Sequence, residues 1–329
     1  MTHADKTLEL VVEDVIALTD SITEFRLRDP AGKALPGFAA GAHLRVQVAP
    51  GGIAAWRHYS LVNSDGRADA TAAPSAYRIA VRRDDHGQGG SLWMHTQVKP
   101  GTRLATSAPV NAFALDDRAD DAVLIAGGIG VTPIVSMAAA LSAAGRRYRV
   151  HYSARHPDQL ALVDELMALA GSNLTLYADQ GPLPALELDT LIAGLAPTQP
   201  IYACGPAGMI DAVLALAWAR GWTRDDIHFE LFSAPAPDAS DRAFEVELRQ
   251  SGRVLAVPAG QTILDAMLAA ELDPLYDCKR GECGVCQVPV LAGDVDHRDY
   301  CLSEAERGAG NVMQICVSRA RGARLVLDA

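Results

Sequence analysis

Short runs of alternating apolar and polar residues fill the first third of the chain, up to about Phe113. Alternation of this kind is typical of strands with one buried face, and strands separated by tight turns build antiparallel barrels or sandwiches. The pattern therefore predicts an antiparallel β-barrel module. Its clearest strands are residues 8–12, 25–27, 43–48 and 77–82.

From about Asp117 the pattern changes to buried strands that alternate with helical stretches. Such alternation indicates a parallel sheet covered by helices on both faces. The predicted strands are residues 123–126, 148–152, 173–177 and 199–203, and the predicted helices are 132–144, 159–170 and 207–219.

A polar, proline-bearing stretch without periodicity, residues 233–242, has the composition of a linker. After it we expect strands at 244–249 and 253–257, a helix at 262–270 and a closing strand near 313–317. The predicted organisation is a barrel domain (1–114), an α/β domain (115–232), the linker (233–242) and a C-terminal domain (243–329).

Composition narrows the function classes. The chain has 329 residues, of which 49% are hydrophobic and 21% charged, as in folded globular proteins. Its formal charge of −11 disfavours nucleic-acid binding. The first residues carry no secretory signal pattern, so we expect a cytoplasmic protein without a membrane segment. Residues 122–145 lack charged side chains, but their central glycines and Pro133 favour a strand, a turn and a helix over a membrane span.

The most specific motif is a cysteine loop in the C-terminal domain. Cys278, Cys283 and Cys286 have the C-x4-C-x2-C spacing, and Cys316 follows. This is the plant-type spacing for the ligands of a [2Fe–2S] cluster. The alternative is a four-cysteine zinc site, although such sites usually carry two C-x2-C pairs. Cys301 lies outside the spacing and is interpreted as a small apolar residue.

In the barrel, the run Arg57-His58-Tyr59-Ser60 offers an arginine for a phosphate, a flat ring and a hydroxyl, which together suit a flavin. Further on, Gly89, Gly90 and Ser91 precede or open a helix whose N–H groups could bind the same phosphate. The alternative is that the arginines are solvated barrel charges and that Tyr59 belongs to the core. The motif alone does not decide between them.

Two turns of the α/β domain each join a strand to a helix. One contains Gly128, Gly130, Thr132 and Pro133, and the other contains Cys204, Gly205, Pro206 and Met209. Ligands of open α/β sheets bind at this edge, so the two turns predict one dinucleotide crevice. Cys204 is expected at its floor, either beside the ligand or as a buried inert thiol. Ser153 and Arg155, after the second strand, could contact a 2′-phosphate, which leaves NADH or NADPH open.

Taken together and in this order, these motifs resemble the phthalate dioxygenase reductase family, the flavin and iron–sulfur reductases of class IA Rieske oxygenase systems within the ferredoxin–NADP reductase superfamily. Vanillate demethylase reductases are similar. The resemblance implies a C-terminal β-grasp ferredoxin domain and FMN as the flavin. Around FMN it implies Arg57, Tyr59, Ser60, Ala80, Val81, Arg82, Gly90, Ser91 and Thr132, with Phe232 near the flavin ring. His58 and Gly89 are further flavin candidates from the sequence, and His58 departs from the family, whose members carry other residues after the arginine.

The resemblance also implies NADH on both glycine turns, with Glu230 near the nicotinamide. Ser60, Cys204, Glu230 and Phe232 would orient the reacting rings without acid–base work. The implied function passes electrons from NADH through FMN and the cluster to a terminal oxygenase, with the chain as a monomer. Alternatives are a reductase for a haem or diiron monooxygenase, and a non-catalytic redox sensor. No role follows for the run 296–299, which is similar to a family run.

Overall fold

The computed structural model describes residues 7–62, 73–116, 120–232 and 238–329. They form two compact units, Met1–Glu230 and Leu231–Ala329. Residues 233–237, the first half of the predicted linker, lie outside the described residues, and so do residues 117–119 near the start of the predicted α/β domain.

An antiparallel barrel forms the first part of unit one. Seven strands run in the order β4-β5-β2-β1-β6-β3-β7, and an added pairing of β3 with β4 closes the sheet. Leu44, Phe25 and Ile79 are fully buried in its core. The elements are β1 (Leu8–Ala17), β2 (Ile22–Arg28), β3 (Ala42–Val48), β4 (Ala55–Val62), β5 (Ala76–Arg82), α1 (Gly90–Gln97), β6 (Arg103–Thr106) and β7 (Val110–Asn111).

A five-stranded sheet forms the second part of unit one, with the strand order β10-β9-β8-β11-β12. The pairs β10–β9, β9–β8 and β8–β11 are parallel, as the alternating pattern predicted. The elements are β8 (Ala122–Gly127), α2 (Val131–Ala143), β9 (Tyr148–Ala154), α3 (Val163–Ala170), β10 (Leu174–Ala178), α4 (Leu188–Ala193), β11 (Ile201–Gly205), α5 (Ala207–Ala219) and β12 (Ile227–Leu231).

The uncharged stretch at residues 122–145 is β8 followed by α2. Nearly all side chains of α2 are buried, because the helix is covered on more than one side. The Ser136 hydroxyl donates to the Leu61 carbonyl oxygen of β4 at 2.7 Å, so α2 packs against the barrel as well as its own sheet. Within the described part of the chain, no helix is both long and apolar enough to cross a bilayer.

One helix begins later than predicted. The sequence pattern placed a helix over residues 159–170, whereas α3 begins at Val163. The residues before it form a short 3₁₀ turn over Pro157–Gln159. Leu162 then adopts a left-handed conformation with φ of 58°. Because a residue in that region cannot lie inside a right-handed helix, the helix starts after it.

Unit two is a mixed sheet with the strand order β14-β13-β19-β15-β17, covered by a helix, and a two-stranded sheet of β16 and β18. β13 pairs in parallel with β19 and antiparallel with β14. The elements are β13 (Phe244–Leu248), β14 (Arg253–Val257), α6 (Ile263–Ala269), β15 (Gln287–Ala292), β16 (Val295–Asp296), α7 (Glu304–Ala309), β17 (Val312–Gln314), β18 (Arg319–Ala320) and β19 (Arg324–Leu327). The antiparallel barrel, the five-stranded α/β sheet and the mixed C-terminal sheet match the predicted fold class.

A buried histidine in the α/β sheet gives the fold a pH dependence. His151 on β9 is 9% exposed, and its Nδ1 lies 2.9 Å from the Tyr177 hydroxyl. Burial, and then the charge of Arg149, lower the pKa of His151 from 6.5 to about 4. Between these two values the unfolded chain binds a proton at this residue that the folded chain does not.

We predict that stability is lost as the pH falls from about 6.5 to about 4, by up to about 3 kcal/mol from this residue. Urea unfolding across this range should show a shallower pH dependence in His151→Gln than in the wild type. His86→Gln, at an exposed histidine, is the matched control. Equal pH profiles for His151→Gln and the wild type would contradict the prediction.

Candidate functional site

The two glycine turns of the α/β sheet meet at its carboxyl edge. They follow the neighbouring parallel strands β8 and β11. A Cβ atom at Gly130 would lie 2.1 Å from the Cys204 carbonyl oxygen, so a side chain there requires the backbone to move. A Cβ atom at Gly205 would lie 3.0 Å from the Gly127 Cα. Glycine therefore allows two backbones to touch, and the structure brings together the turns that the sequence analysis paired.

This edge is the topological switch point of the sheet, because the chain continues from β8 to β9 and β10 on one side and later returns to β11 and β12 on the other side of β8. Two helices begin here, α2 and α5, and neither has a side-chain hydrogen bond at its N-cap. Their N–H groups are thus suited to an anionic ligand. Ser153 pairs with Gly127 in the register of β9 and β8, which places it at the same edge, and Arg155 follows β9 directly.

Individual residues of the turns contribute in different ways. Thr132 is buried and donates its hydroxyl to the Ile129 carbonyl oxygen at 3.0 Å, which stabilises the turn. The Met209 side chain packs against both glycine turns: its Sδ lies 2.9 Å from the place of a Gly127 Cβ, and its Cε lies 2.4 Å from the place of a Gly205 Cβ. The Cys204 thiol is fully buried, and the six cysteines form no disulfide.

The predicted flavin run lies on β4, at the barrel edge that faces the α/β sheet. Arg57 lies over the start of α1, where its Nε is 2.8 Å from the place that a Gly90 Cβ would occupy. Its guanidinium donates to Gln88 Oε1 at 3.1 Å and to the Trp56 carbonyl oxygen at 2.9 Å. The N-cap of α1 is Gly89, with φ of 77° and no side-chain cap. An arginine beside an uncapped helix start fits a phosphate group.

Tyr59 packs against the barrel core, as the alternative interpretation expected. Burial raises the pKa of its phenol well above 10 and outweighs the opposing effect of the Arg57 charge. The hydroxyl therefore keeps its proton. Ser60, the next residue, is buried and donates its hydroxyl to Glu230 Oε2 at 3.4 Å. Glu230 is itself 5% exposed and belongs to β12, so this contact joins the barrel to the α/β sheet.

The remaining predicted flavin residues lie on β5, α1 and β4 and directly after β12. Ala80, Val81 and Arg82 end β5, and Ser91 lies in the first turn of α1. The Ser91 hydroxyl accepts a hydrogen bond from the Asp84 backbone N–H at 3.1 Å. His58 stacks on His43 of β3, with ring centroids 4.7 Å apart. Phe232 lies in unit two, and its role near the flavin stays a prediction.

In unit two, the four cysteines predicted as cluster ligands form two contacting pairs. The thiols of Cys278 and Cys283 share a hydrogen bond, and so do those of Cys286 and Cys316. In the first pair this contact lowers the pKa of Cys278 to about 5 and raises that of Cys283. In the second it lowers the pKa of Cys286 and raises that of Cys316. Within the described ranges, no three His, Cys, Asp or Glu side chains converge as the ligands of one metal ion would.

Two pairs of thiols suit a cluster of two iron atoms, since each iron takes two protein ligands. The loop also aims backbone donors at sulfur, and the Arg280 N–H lies 3.3 Å from Cys278 Sγ. Gly281 has φ of 80° and Gly284 has φ of 73°, so both glycines adopt the left-handed conformation that lets the loop turn tightly. The residues present therefore fit a [2Fe–2S] cluster.

Asp299, the last residue of the run 296–299 to which the sequence analysis assigned no role, packs against the cysteine loop. A Cβ atom at Gly281 would lie 3.0 Å from the Asp299 Cα and 2.8 Å from Val317 Cγ2. The Asp299 side chain is fully buried and accepts a hydrogen bond from the Leu302 N–H at 2.9 Å. The Tyr300 N–H donates to the Gly281 carbonyl oxygen at 2.9 Å. The loop and residues 299–302 thus form one packed layer.

Arg298 connects the same run to the end of the predicted linker. Its guanidinium donates to both carboxylate oxygens of Asp241, at 2.6 and 3.2 Å, and to Asp296 at 2.8 Å. The Asp241 side chain is only 4% exposed, and the hydrogen bond from Arg298 lowers its pKa. Within the loop itself, Glu282 accepts hydrogen bonds from Arg280 Nε at 3.1 Å and from the backbone N–H of Leu231, the first residue of unit two. The cysteine spacing gives no signal for these contacts.

Comparison with known proteins decides the family. Residues 246–321 match a 2Fe-2S iron–sulfur cluster binding domain, and residues 103–227 match the N-terminal domain of dimethylamine monooxygenase subunit DmmA-like proteins. The chain is 39% identical to a putative toluene-4-sulfonate monooxygenase system reductase subunit from Comamonas testosteroni, over 97% of this chain and 98% of that protein. It is 38% identical to a vanillate O-demethylase oxidoreductase from Pseudomonas sp. (strain HR199 / DSM 7063), over 98% and 97%.

The solved structure of phthalate dioxygenase reductase, described as a modular structure for electron transfer from pyridine nucleotides to [2Fe–2S], superposes with a TM-score of 0.73 and 36% identity over 98% of both chains. The chain belongs to the phthalate dioxygenase reductase family. Membership confirms the prediction of a flavin and iron–sulfur oxidoreductase with a C-terminal ferredoxin domain. It also confirms the predicted cofactor set of FMN, NADH and a [2Fe–2S] cluster.

The reductase sequence also matches part of a longer protein. It is 36% identical to full-length CYP116B46 from Tepidiphilus thermophilus, with a TM-score of 0.71 over 98% of this chain. It spans only 42% of that protein's length.

The contact at Gly130 gives a test of the dinucleotide crevice in this reductase. We predict that Gly130→Ala displaces the turn and raises the KM for NADH by at least about tenfold, because the new methyl group meets the Cys204 carbonyl oxygen. Gly208→Ala is the matched control, since a Cβ atom there meets nothing within 4 Å. Steady-state kinetics with flavin and iron contents would check this. An unchanged KM in Gly130→Ala would count against the crevice.

A second pair of glycines tests the support behind the cysteine loop. Gly281→Ala and Gly284→Ala both place a side chain at positive φ, but only the first also meets Asp299 and Val317. We therefore expect Gly281→Ala to bind less iron and sulfide per chain than Gly284→Ala. Iron and sulfide assays on the two purified variants give the comparison. Equal iron and sulfide contents in the two variants would show that the packing of Asp299 and Val317 against the loop is not needed for cluster binding.

Proposed function

We propose that this chain is the reductase component of a Rieske-type oxygenase or demethylase system. It takes reducing equivalents from NADH and delivers them, one electron at a time, to a separate terminal oxygenase. The observation that supports this most strongly is that one chain carries both a switch-point crevice beside a flavin-type barrel edge and a loop of paired cysteine thiols. A protein that only sensed redox state would have no use for the first of these sites.

The proposed role of the crevice is to hold NADH. The N-termini of α2 and α5, with Gly128, Gly130 and Gly205, provide backbone N–H groups for its pyrophosphate. Thr132, Pro133, Pro206 and Met209 shape the walls. Ser153 and Arg155 are placed to contact the adenosine ribose, or a 2′-phosphate in NADPH, so the choice of NADH over NADPH rests on the family.

The proposed flavin site is the edge of the barrel. Arg57, Gly90 and Ser91 lie where the FMN phosphate would bind, and the ends of β4 and β5 supply His58, Tyr59, Ser60, Ala80, Val81 and Arg82. When bound, FMN supplies the chemistry of accepting a hydride and returning electrons singly. The buried Ser60 and Glu230 orient the reacting rings and exclude water. Cys204 is proposed to lie at the floor of the dinucleotide crevice, and Phe232, from the family resemblance, near the flavin ring.

The proposed acceptor is a terminal oxygenase, and the relatives named as reductase subunits of monooxygenase systems support this. A haem monooxygenase is the second candidate, because the chain resembles a large part of CYP116B46, a cytochrome P450. The domain boundaries at 114 and 232, the cytoplasmic location and the monomeric state remain predictions from the sequence.

A cysteine substitution tests the electron path. In Cys283→Ala we expect NADH to bleach the flavin as in the wild type, while reduction of cytochrome c falls to near background, because the cluster that passes single electrons is lost. Cys301→Ala is the matched control, since this cysteine lies outside both thiol pairs. Stopped-flow absorbance follows both steps.

Undiminished cytochrome c reduction in Cys283→Ala would contradict the proposed path. A wild-type protein that NADH bleaches but that turns over no acceptor would instead support the sensor. Purified Rieske oxygenase and P450 acceptors, offered in parallel, distinguish the two reductase candidates.

A further inference from the structure

A buried arginine connects the barrel to the α/β sheet. Arg78 lies on β5 and is 7% exposed. Its Nη2 lies 2.6 Å from Glu24 Oε2 on the neighbouring strand β2, and Glu24 is also buried. This half of the contact lies within the barrel. A buried guanidinium with a single carboxylate partner still has donors to satisfy.

The other half of the contact crosses to the α/β sheet. Glu165 lies in the first turn of α3, and its Oε2 accepts from Arg78 Nη1 at 3.1 Å, while its Oε1 accepts from Nη2. Two parallel hydrogen bonds between a guanidinium and a carboxylate fix orientation as well as distance. Burial disfavours the charged arginine, but the hydrogen bonds that Arg78 donates to Glu165 and Glu24 outweigh this effect and raise the pKa of Arg78, so the guanidinium remains charged.

The position of this contact matters for the reaction. Arg78 comes two residues before Ala80 on the strand that carries part of the proposed flavin site. Glu165 lies in the first turn of α3, the helix that follows β9. Ser153 at the end of β9 and Arg155 directly after it belong to the proposed NADH site. The other two crossings described above, Ser136 to Leu61 and Ser60 to Glu230, are single hydrogen bonds.

We propose that Arg78 and Glu165 are positioning residues for hydride transfer, and that their ion pair holds the NADH-binding sheet in register with the flavin-binding barrel. The inference rests on the proposed function. Neither residue touches a reacting atom; they act by fixing the distance between the two sites. Displacements of a fraction of an ångström lower the rate of such a transfer strongly.

Glu165→Gln is the most direct test. The Glu165 side chain is 34% exposed, and its replacement leaves the buried pair of Arg78 and Glu24 intact. We expect the limiting rate of flavin reduction by saturating NADH to fall by about tenfold. The primary isotope effect with NADH deuterated at the transferred position should be retained. Flavin content, the visible spectrum and the rate of electron passage from flavin to cluster should match the wild type.

Arg103→Gln is the matched control, because it removes an exposed arginine–glutamate pair, with Glu9, that lies entirely within the barrel. Glu165→Asp should restore part of the lost rate, since it returns the charge on a shorter side chain. A rate in Glu165→Gln within about twofold of Arg103→Gln would overturn the proposal. So would a loss of flavin, or an equal slowing of both electron-transfer steps, since either indicates a general structural role.

Flavin reduction in the wild type distinguishes a failure of the positioning role from a failure of the proposed function. If NADH does not reduce the wild-type flavin, the proposed function fails. If the wild type is reduced normally and Glu165→Gln behaves like Arg103→Gln, only the positioning role fails.

Discussion

The cysteine loop is held in its conformation by a second segment of the chain, residues 299–302, which packs against it. Gly281 packs on the backbone of Asp299 with no room for a side chain, and Tyr300 donates its N–H to the Gly281 carbonyl oxygen. A cluster needs its thiolates presented by a backbone that turns tightly and does not reorganise when the charge changes. Residues 299–302 provide contacts that hold the loop, and the neighbouring Arg298 donates hydrogen bonds to Asp241.

The dinucleotide crevice depends on a comparable constraint. Gly130 and Gly205 allow two strand-to-helix turns to touch through their backbones, and this places the starts of α2 and α5 at one edge of the sheet. A dinucleotide at this edge would be held mainly by backbone groups, so the proposed site needs glycine more than any reactive side chain. This agrees with a reaction in which the protein contributes positioning and exclusion of water, and the cofactors contribute the chemistry.

The sequence predicts those features that depend on local spacing. The C-x4-C-x2-C run, the glycine turns and the alternation of strands and helices each follow from a short stretch of chain. Contacts between distant residues leave no such pattern: Arg78 and Glu165 are 87 positions apart, and β13 pairs in parallel with β19, a strand that the pattern did not reveal. The late start of α3 depends on the left-handed conformation of Leu162, which side-chain preference opposes. Tertiary packing decides these features.

Anaerobic titration of the purified holoprotein with NADH, followed by visible absorbance and electron paramagnetic resonance, tests the central claim most directly. The account predicts that each chain takes up two electrons at the flavin and one at the cluster, and that the resonance of a reduced [2Fe–2S] cluster appears as the flavin band bleaches. A protein whose flavin bleaches while no such resonance develops, or one that carries no iron when prepared without oxygen, would contradict it.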